Sequence, residues 1–225
     1  YPAQRTGADT VSVFDEAGQT VTHTFEHLRQ QSDKVTGKPN LSLADYIKPT
    51  TTQQDYLGGF TVSIFGAEEL ANEYKAKGDD YSAILVQSLA DRFAEAFAEH
   101  LHERIRKEFW GYKADETLGN EELIKEKYVG IRPAPGYPAC PEHSEKAVLF
   151  DWLGSEAKIG TKLTEHFAMM PPSSVSGFYY SHPESEYFNV GKISQDQLED
   201  YAKRKGWTLD EAKRWLAPNL DDSIV

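Results

Sequence analysis

The chain has 225 residues, 39% of them apolar and 12% aromatic, which is enough to bury a core without covalent staples and excludes a disordered chain. Its net charge of −12, from 24 basic and 36 acidic residues, opposes nonspecific binding to nucleic acid or to anionic membranes. The single Cys140 excludes an internal disulfide and a cysteine metal cluster, and no apolar run is long enough for a membrane helix. The first residues lack the apolar core of a signal peptide, so the expected location is the cytoplasm. They also lack an obvious starting cap, so the chain is expected to be a piece of something longer.

In chain order, 11–14 and 20–25 are rich in β-formers and flank the turn 15–18, which predicts a hairpin. Residues 26–31 predict a short helix, 32–40 a polar loop, 41–47 an ambiguous element stopped by Pro49, and 50–55 a second loop. A strand is expected over 58–65 and a helix over 67–77, stopped by Gly78. The clearest element follows. Asp79 to Ser82 give a cap signal, and Leu85, Leu89, Phe93, Phe97, Leu101, Ile105 and Phe109 recur every fourth residue. Ala90, Ala94 and Ala98 widen that stripe, so one long helix over about 81–110 is expected to pack it on a core. Further helices are predicted over 120–128, 142–153, 194–205 (stopped by Gly206) and 208–216. Residues 175–180 and 186–193 predict a second hairpin. Strands towards both ends with helices between them predict an α+β fold: one domain over 1–225, with a twisted, mainly antiparallel sheet and surrounding helices.

Residues 132–143, RPAPGYPACPEH, hold four of the eleven prolines. Each proline fixes φ and removes a donor, so the run predicts a stiff segment that is neither helix nor central strand. Gly136 permits close approach to the backbone, Arg132 offers a planar fork for a carboxylate or phosphate, and Tyr137 offers a flat face. Two readings stand together: a wall for a ligand that is part aromatic and part carboxylate, or a rigid crossover.

Other constellations are weaker. Asp91, Glu95, Glu99 and Glu103 form a carboxylate stripe on the long helix, which reads first as a solvated face. Glu95 lies beside Ala94 at the edge of the apolar stripe, where a carboxylate can also accept from an ammonium group. Glu99 and His102 match a di-iron spacing, but that site needs a second such pair, and His100 and His102 read as surface histidines. Cys140 reads as a small buried residue rather than a nucleophile. The pairs Tyr179–Tyr180 and Tyr187–Phe188 read either as cross-strand stacking or as a slot for an aromatic ring.

The 132–143 run resembles the signature of the activation domain of cobalamin-dependent methionine synthase. So do ADRFAEAFAE at 90–99, NEELI at 120–124, SVSG at 174–177 and RWLAPNL at 214–220. The resemblance implies binding of S-adenosylmethionine and reductive methylation of a cobalamin held by another domain of the enzyme. The implied partners are that cobalamin-binding domain and flavodoxin or a flavodoxin-type reductase, with neither nucleic acid nor membrane. It places Arg132, Ala134, Gly136 and Tyr137 on the family's Arg-x-x-x-Gly-Tyr ligand motif. Glu95 falls on an acidic ligand from the long helix, and Tyr187 and Phe188 on the pair that closes the site. It implies no catalytic residue and no metal ligand within the chain, which would be a methyltransferase part that holds the donor. The family's domain begins earlier, and its preceding segment carries another acidic contact. The alternative is an interaction module that docks a reductase and binds no small molecule. A free-standing methyltransferase would need an acceptor pocket or a base, and the sequence displays neither.

Overall fold

The computed structural model describes residues 1–35, 37–50, 53–221 and 224. The loops expected at 32–40 and 50–55 include residues 36, 51 and 52, which lie outside the described residues. In chain order the elements are β1 (Pro2–Arg5), β2 (Thr10–Phe14), β3 (Val21–Glu26), β4 (Asp55–Tyr56), β5 (Gly58–Ser63), α1 (Ala67–Ala76) and α2 (Asp80–Arg104). There follow α3 (Asn120–Ile124), α4 (Glu145–Leu153), α5 (Ser155–Ile159), β6 (Lys162–Leu163), β7 (Met169–Met170), β8 (Ser174–Tyr179), α6 (Gln195–Lys205) and α7 (Leu209–Leu216). These form two compact units, each assembled from non-adjacent stretches. The first is Tyr1–Gly58, Val129–Val148 and Phe178–Val225, and the second is Gly59–Tyr128 and Leu149–Gly177.

The first unit holds the antiparallel sheet, in the order β3-β2-β1-β4. The β2–β3 hairpin is the one expected from the sequence, with Val11 opposite Phe25 and Val13 opposite His23. Val11, Val13 and Phe25 are fully buried, so the alternation of β-formers marks the covered face. The second core of this unit is built by Leu28, Val190, Ile193, Leu198, Tyr201, Ala212, Leu216 and Leu220 around α6 and α7. Both helices have the ends their sequences dictate. Gly206 takes the left-handed conformation at φ 68° after α6, and Thr208 accepts from the Glu211 N–H at the start of α7. The helix expected over 26–31 is not formed: β3 runs to Glu26, and Arg29 makes a bridge to Ser42 instead. The Arg29 side chain holds Asp45 through both carboxylate oxygens at 2.6 and 2.8 Å, an ion pair that an extended backbone lets it reach.

In the second unit β5 pairs with β8, and α1 lies against α2. The Asp79 carboxylate caps α2 by accepting from the Ser82 N–H at 3.0 Å. The helix is as long as expected and closes with a wider turn, Ile105–Phe109, in which the Trp110 N–H reaches the Ile105 carbonyl. Its buried face is another matter. Leu85, Leu89, Phe93 and Phe97 are exposed, whereas Ala83, Ala90, Ala94, Ala98 and His102 are buried. The helix therefore packs on its alanine face, where the absence of bulk allows close approach. The reading of the large residues as the packed stripe, and of His102 as a surface residue, is corrected accordingly. His102 stacks edge-on against Tyr128, with ring centroids 4.9 Å apart.

The second hairpin is also corrected. β8 is a strand, but 186–193 contains no strand, and the Val190 N–H bonds instead to the Pro138 carbonyl at 2.9 Å. Among the described residues no helix is long and apolar enough to cross a membrane.

Candidate functional site

The proline-rich run lies wholly in the first unit. It enters through a two-way bridge between Ile131 and Tyr180, with N–H to O distances of 2.9 and 3.0 Å, and the Phe178 N–H then bonds to the Pro133 carbonyl at 2.9 Å. Pro133, Ala134, Pro135, Ala139 and Cys140 are buried, while Gly136, Tyr137 and Pro138 form an exposed tip. The tip is closed by its own main chain. The Tyr137 N–H reaches the Ala134 carbonyl, the Cys140 N–H the Tyr137 carbonyl, and the Gly136 N–H the Cys140 carbonyl, at 3.1, 2.9 and 2.7 Å. Three of the five main-chain donors between Pro133 and Pro141 are thus spent on fixing its shape. The Ala134 N–H makes no hydrogen bond among the described residues.

Gly136 sits at φ 95°, a conformation that L side chains rarely adopt, and a β-carbon there would lie 2.4 Å from the His143 ring. The imidazole therefore fills the space beneath the tip, and its Nδ1 is 3.0 Å from the Lys146 ammonium. Burial and that ammonium hold His143 below the ordinary histidine range.

The segment 186–190 lies beside this wall. The Tyr187 hydroxyl accepts from the Arg132 N–H at 3.0 Å, and the Gln30 amide holds the Asn189 carbonyl at 2.7 Å. Tyr187 and Phe188 face different surroundings. Tyr187 meets Arg132, whereas Phe188 packs on the α6–α7 core. Arg132, Ala134, Gly136, Tyr137, Tyr187 and Phe188 are thus brought together in one unit. Glu95 is an exposed residue of α2 in the other. Sequence reasoning did not find Gln30 or the role of His143. Gln30 lies in no motif, and the histidine, although it ends the run, carries no signal of its place beneath Gly136.

Behind the wall is a buried polar network. Glu142 accepts from the Ser144 N–H and hydroxyl and from the Tyr201 hydroxyl, and Lys205 pairs with Glu145. Burial lifts the Glu145 carboxyl to about 7 in spite of Lys205. His27, whose Nε2 lies 3.0 Å from the Tyr180 hydroxyl, is lowered to about 3 by burial and by the charges of Arg204 and Lys205. Cys140 is buried and its thiol is pushed up, first by burial and then by the carboxylates of Glu145 and Glu142. That fits a packed residue and not a nucleophile.

These two shifts give a testable pH dependence. A lowered histidine contributes stability that is present above its unfolded value of 6.5 and is lost as the pH falls below it. A raised carboxyl does the reverse. Its contribution is present below its unfolded value of 4.5 and is lost as the pH rises through about 7. Between pH 7 and 5 the two oppose each other, so urea midpoints of the parent should change little. Glu145→Gln should expose the histidine limb and lose about 2 kcal/mol over that interval, while His27→Gln should gain stability on acidification. Slopes of the opposite sign in the two variants would overturn the assignment.

The family model described as "Vitamin B12 dependent methionine synthase, activation domain" matches residues 1–206. The chain belongs to this methionine synthase activation-domain family. It is also similar to a solved structure described as the crystal structure of the MetH reactivation domain bound to AdoHcy. The identity is 53% and the TM-score 0.94, over 98% of this chain and 68% of that one. As a methionine synthase activation domain, the chain is part of a methyltransferase, and its α+β architecture is that of the solved relative. Cobalamin is carried by another domain of methionine synthase.

Proposed function

We propose that this chain binds S-adenosylmethionine along the proline-rich wall and so supports the reductive methylation of cob(II)alamin carried by the cobalamin domain. The observation that carries the reading is the wall itself. A bare, positive-φ Gly136 sits between Arg132 and Tyr137, is braced from behind by His143, and has Tyr187 alongside. Support also comes from the solved relative, whose bound AdoHcy is the demethylated form of the same ligand.

When bound, S-adenosylmethionine supplies the methyl group that restores methylcobalamin. The residues of this chain bind and orient it. Arg132 takes the carboxylate of the methionine tail with its planar fork. The Ala134 N–H supplies a donor to the adenine edge, and Gly136 takes the left-handed turn that shapes the tip while leaving room for the His143 ring behind it. Tyr137, 57% exposed, offers its flat face to adenine. Tyr187 closes the site, and Phe188, fixed in the core, holds the segment that carries it. Glu95 is proposed as an acceptor for the ligand's ammonium group. The acidic surface tolerates the sulfonium. The isolated chain holds the methyl donor without turning over; in the whole enzyme, in the cytoplasm, cob(II)alamin takes its electron from a flavodoxin-type reductase.

Calorimetric titration with S-adenosylmethionine and with S-adenosylhomocysteine tests this. Saturable heat with one ligand per chain is expected. Neither heat nor a melting shift at millimolar ligand would sink the reading and leave the reductase-docking module in its place.

A further inference from the structure

We infer that Tyr46 is a positioning residue, whose hydroxyl sets the height of the 186–188 segment over the proline-rich wall and thereby the place of Tyr187 above Arg132. The inference rests on the ligand reading above. Tyr46 ends the short 3-10 turn Leu43–Tyr46 and is 5% exposed. That turn is immobilised at its other end. Ser42 caps it, and Asp45 accepts from the Ser42 N–H, from Arg5 and twice from Arg29, at 2.9, 2.8, 2.6 and 2.8 Å. The Tyr46 ring meets those of Tyr180, His182 and Phe188 edge-on or tilted, with centroids 6.3, 5.9 and 6.5 Å away.

Its hydroxyl is the one side-chain group among the described hydrogen bonds that holds the main chain of Glu186. It accepts from the Glu186 N–H at 3.3 Å and donates to the Glu186 carbonyl at 3.4 Å. One residue further on, the Tyr187 hydroxyl takes the Arg132 N–H. The chain of contact therefore runs from a charged anchor, through one phenol, to the residue that closes the site. The segment has no strand of its own to fix it, so a phenol at its start and Gln30 at Asn189 take the place of a ladder. The residue has no signature in the sequence, because the turn that carries it lies far from the 132–143 run.

The experiment titrates S-adenosylhomocysteine into the parent chain, Tyr46→Phe, Tyr187→Phe and the double variant. It also follows exchange of the Arg132 amide without ligand. Phenylalanine keeps the ring and its packing, so the thermal midpoint should scarcely move. Affinity should fall about threefold to tenfold in Tyr46→Phe, as for one lost net hydrogen bond. The double variant should bind no worse than the weaker single variant, because both act through one contact. The Arg132 amide should exchange faster in Tyr46→Phe than in the parent. Unchanged affinity together with unchanged exchange overturns the inference while leaving the ligand reading intact, and so do strictly additive losses. If the parent itself fails to bind, the ligand reading fails and the inference falls with it.

Discussion

Arg106→Ala is expected to destabilise the second unit by about 3–5 kcal/mol. Arg106 is fully buried just beyond the end of α2, in the wide turn Ile105–Phe109. Its Nε and Nη2 make a parallel pair of bonds to Glu116, at 2.8 and 2.7 Å, and the Glu116 side chain is only 5% exposed. The guanidinium carbon also lies 4.4 Å from the centre of the Tyr128 ring. Truncation removes the charge paired with a buried carboxylate and leaves a space beneath an aromatic ring. Both terms act in the same direction. Replacing the pair with Arg106→Met and Glu116→Leu together should recover most of the loss, because no charge then remains to be desolvated. Urea midpoints of the three proteins check this, and a single-variant loss below about 1 kcal/mol would show that Glu116 regains water and that the pair is not a structural clamp.

This pair marks the limit of what the sequence reveals. Arg106 and Glu116 are ten residues apart with no pattern between them, and only a turn that departs from the helix brings them together. The same limit explains the reversal of α2. Its four-residue recurrence proves that a helix has two unlike faces, but the larger residues do not dictate which face is covered. Ala90, Ala94 and Ala98 had the same period and carry the contact. The missing hairpin arm at 186–193 has a related cause. β-propensity records how well side chains fit a pleated surface, and here Val190, Ile193 and Phe188 fit a helical core instead. Features fixed by backbone chemistry were legible. Gly206 and Thr208 end and begin their helices as expected, and Asp79 caps α2. The proline-rich run is a non-regular wall, as its fixed φ angles require. The candidate site was legible in that wall and in the Tyr187–Phe188 pair, whereas Tyr46 and Gln30 reach it from segments without a distinguishing composition.

Arg132→Ala is expected to weaken binding of S-adenosylhomocysteine by about 10-fold to 150-fold, corresponding to about 1.5–3 kcal/mol for a charge-assisted bond to a carboxylate. The fold should suffer much less. Its main-chain N–H reaches the Tyr187 hydroxyl at 3.0 Å, and alanine keeps that donor. The neighbouring Ile131 bridge to Tyr180 and the Pro133 carbonyl contact to Phe178 are also main-chain bonds that the substitution leaves in place. Arg132→Lys should fall between parent and alanine, because an ammonium restores the charge but not the two parallel donors of the fork. The two measurements needed are affinity by calorimetry and the thermal midpoint of each variant without ligand. A large loss of affinity at a nearly constant midpoint assigns Arg132 to the ligand. Equal affinity in parent and alanine variant would mean that the ligand's carboxylate is held elsewhere. A midpoint that falls as far as the affinity would make Arg132 a structural residue of the wall.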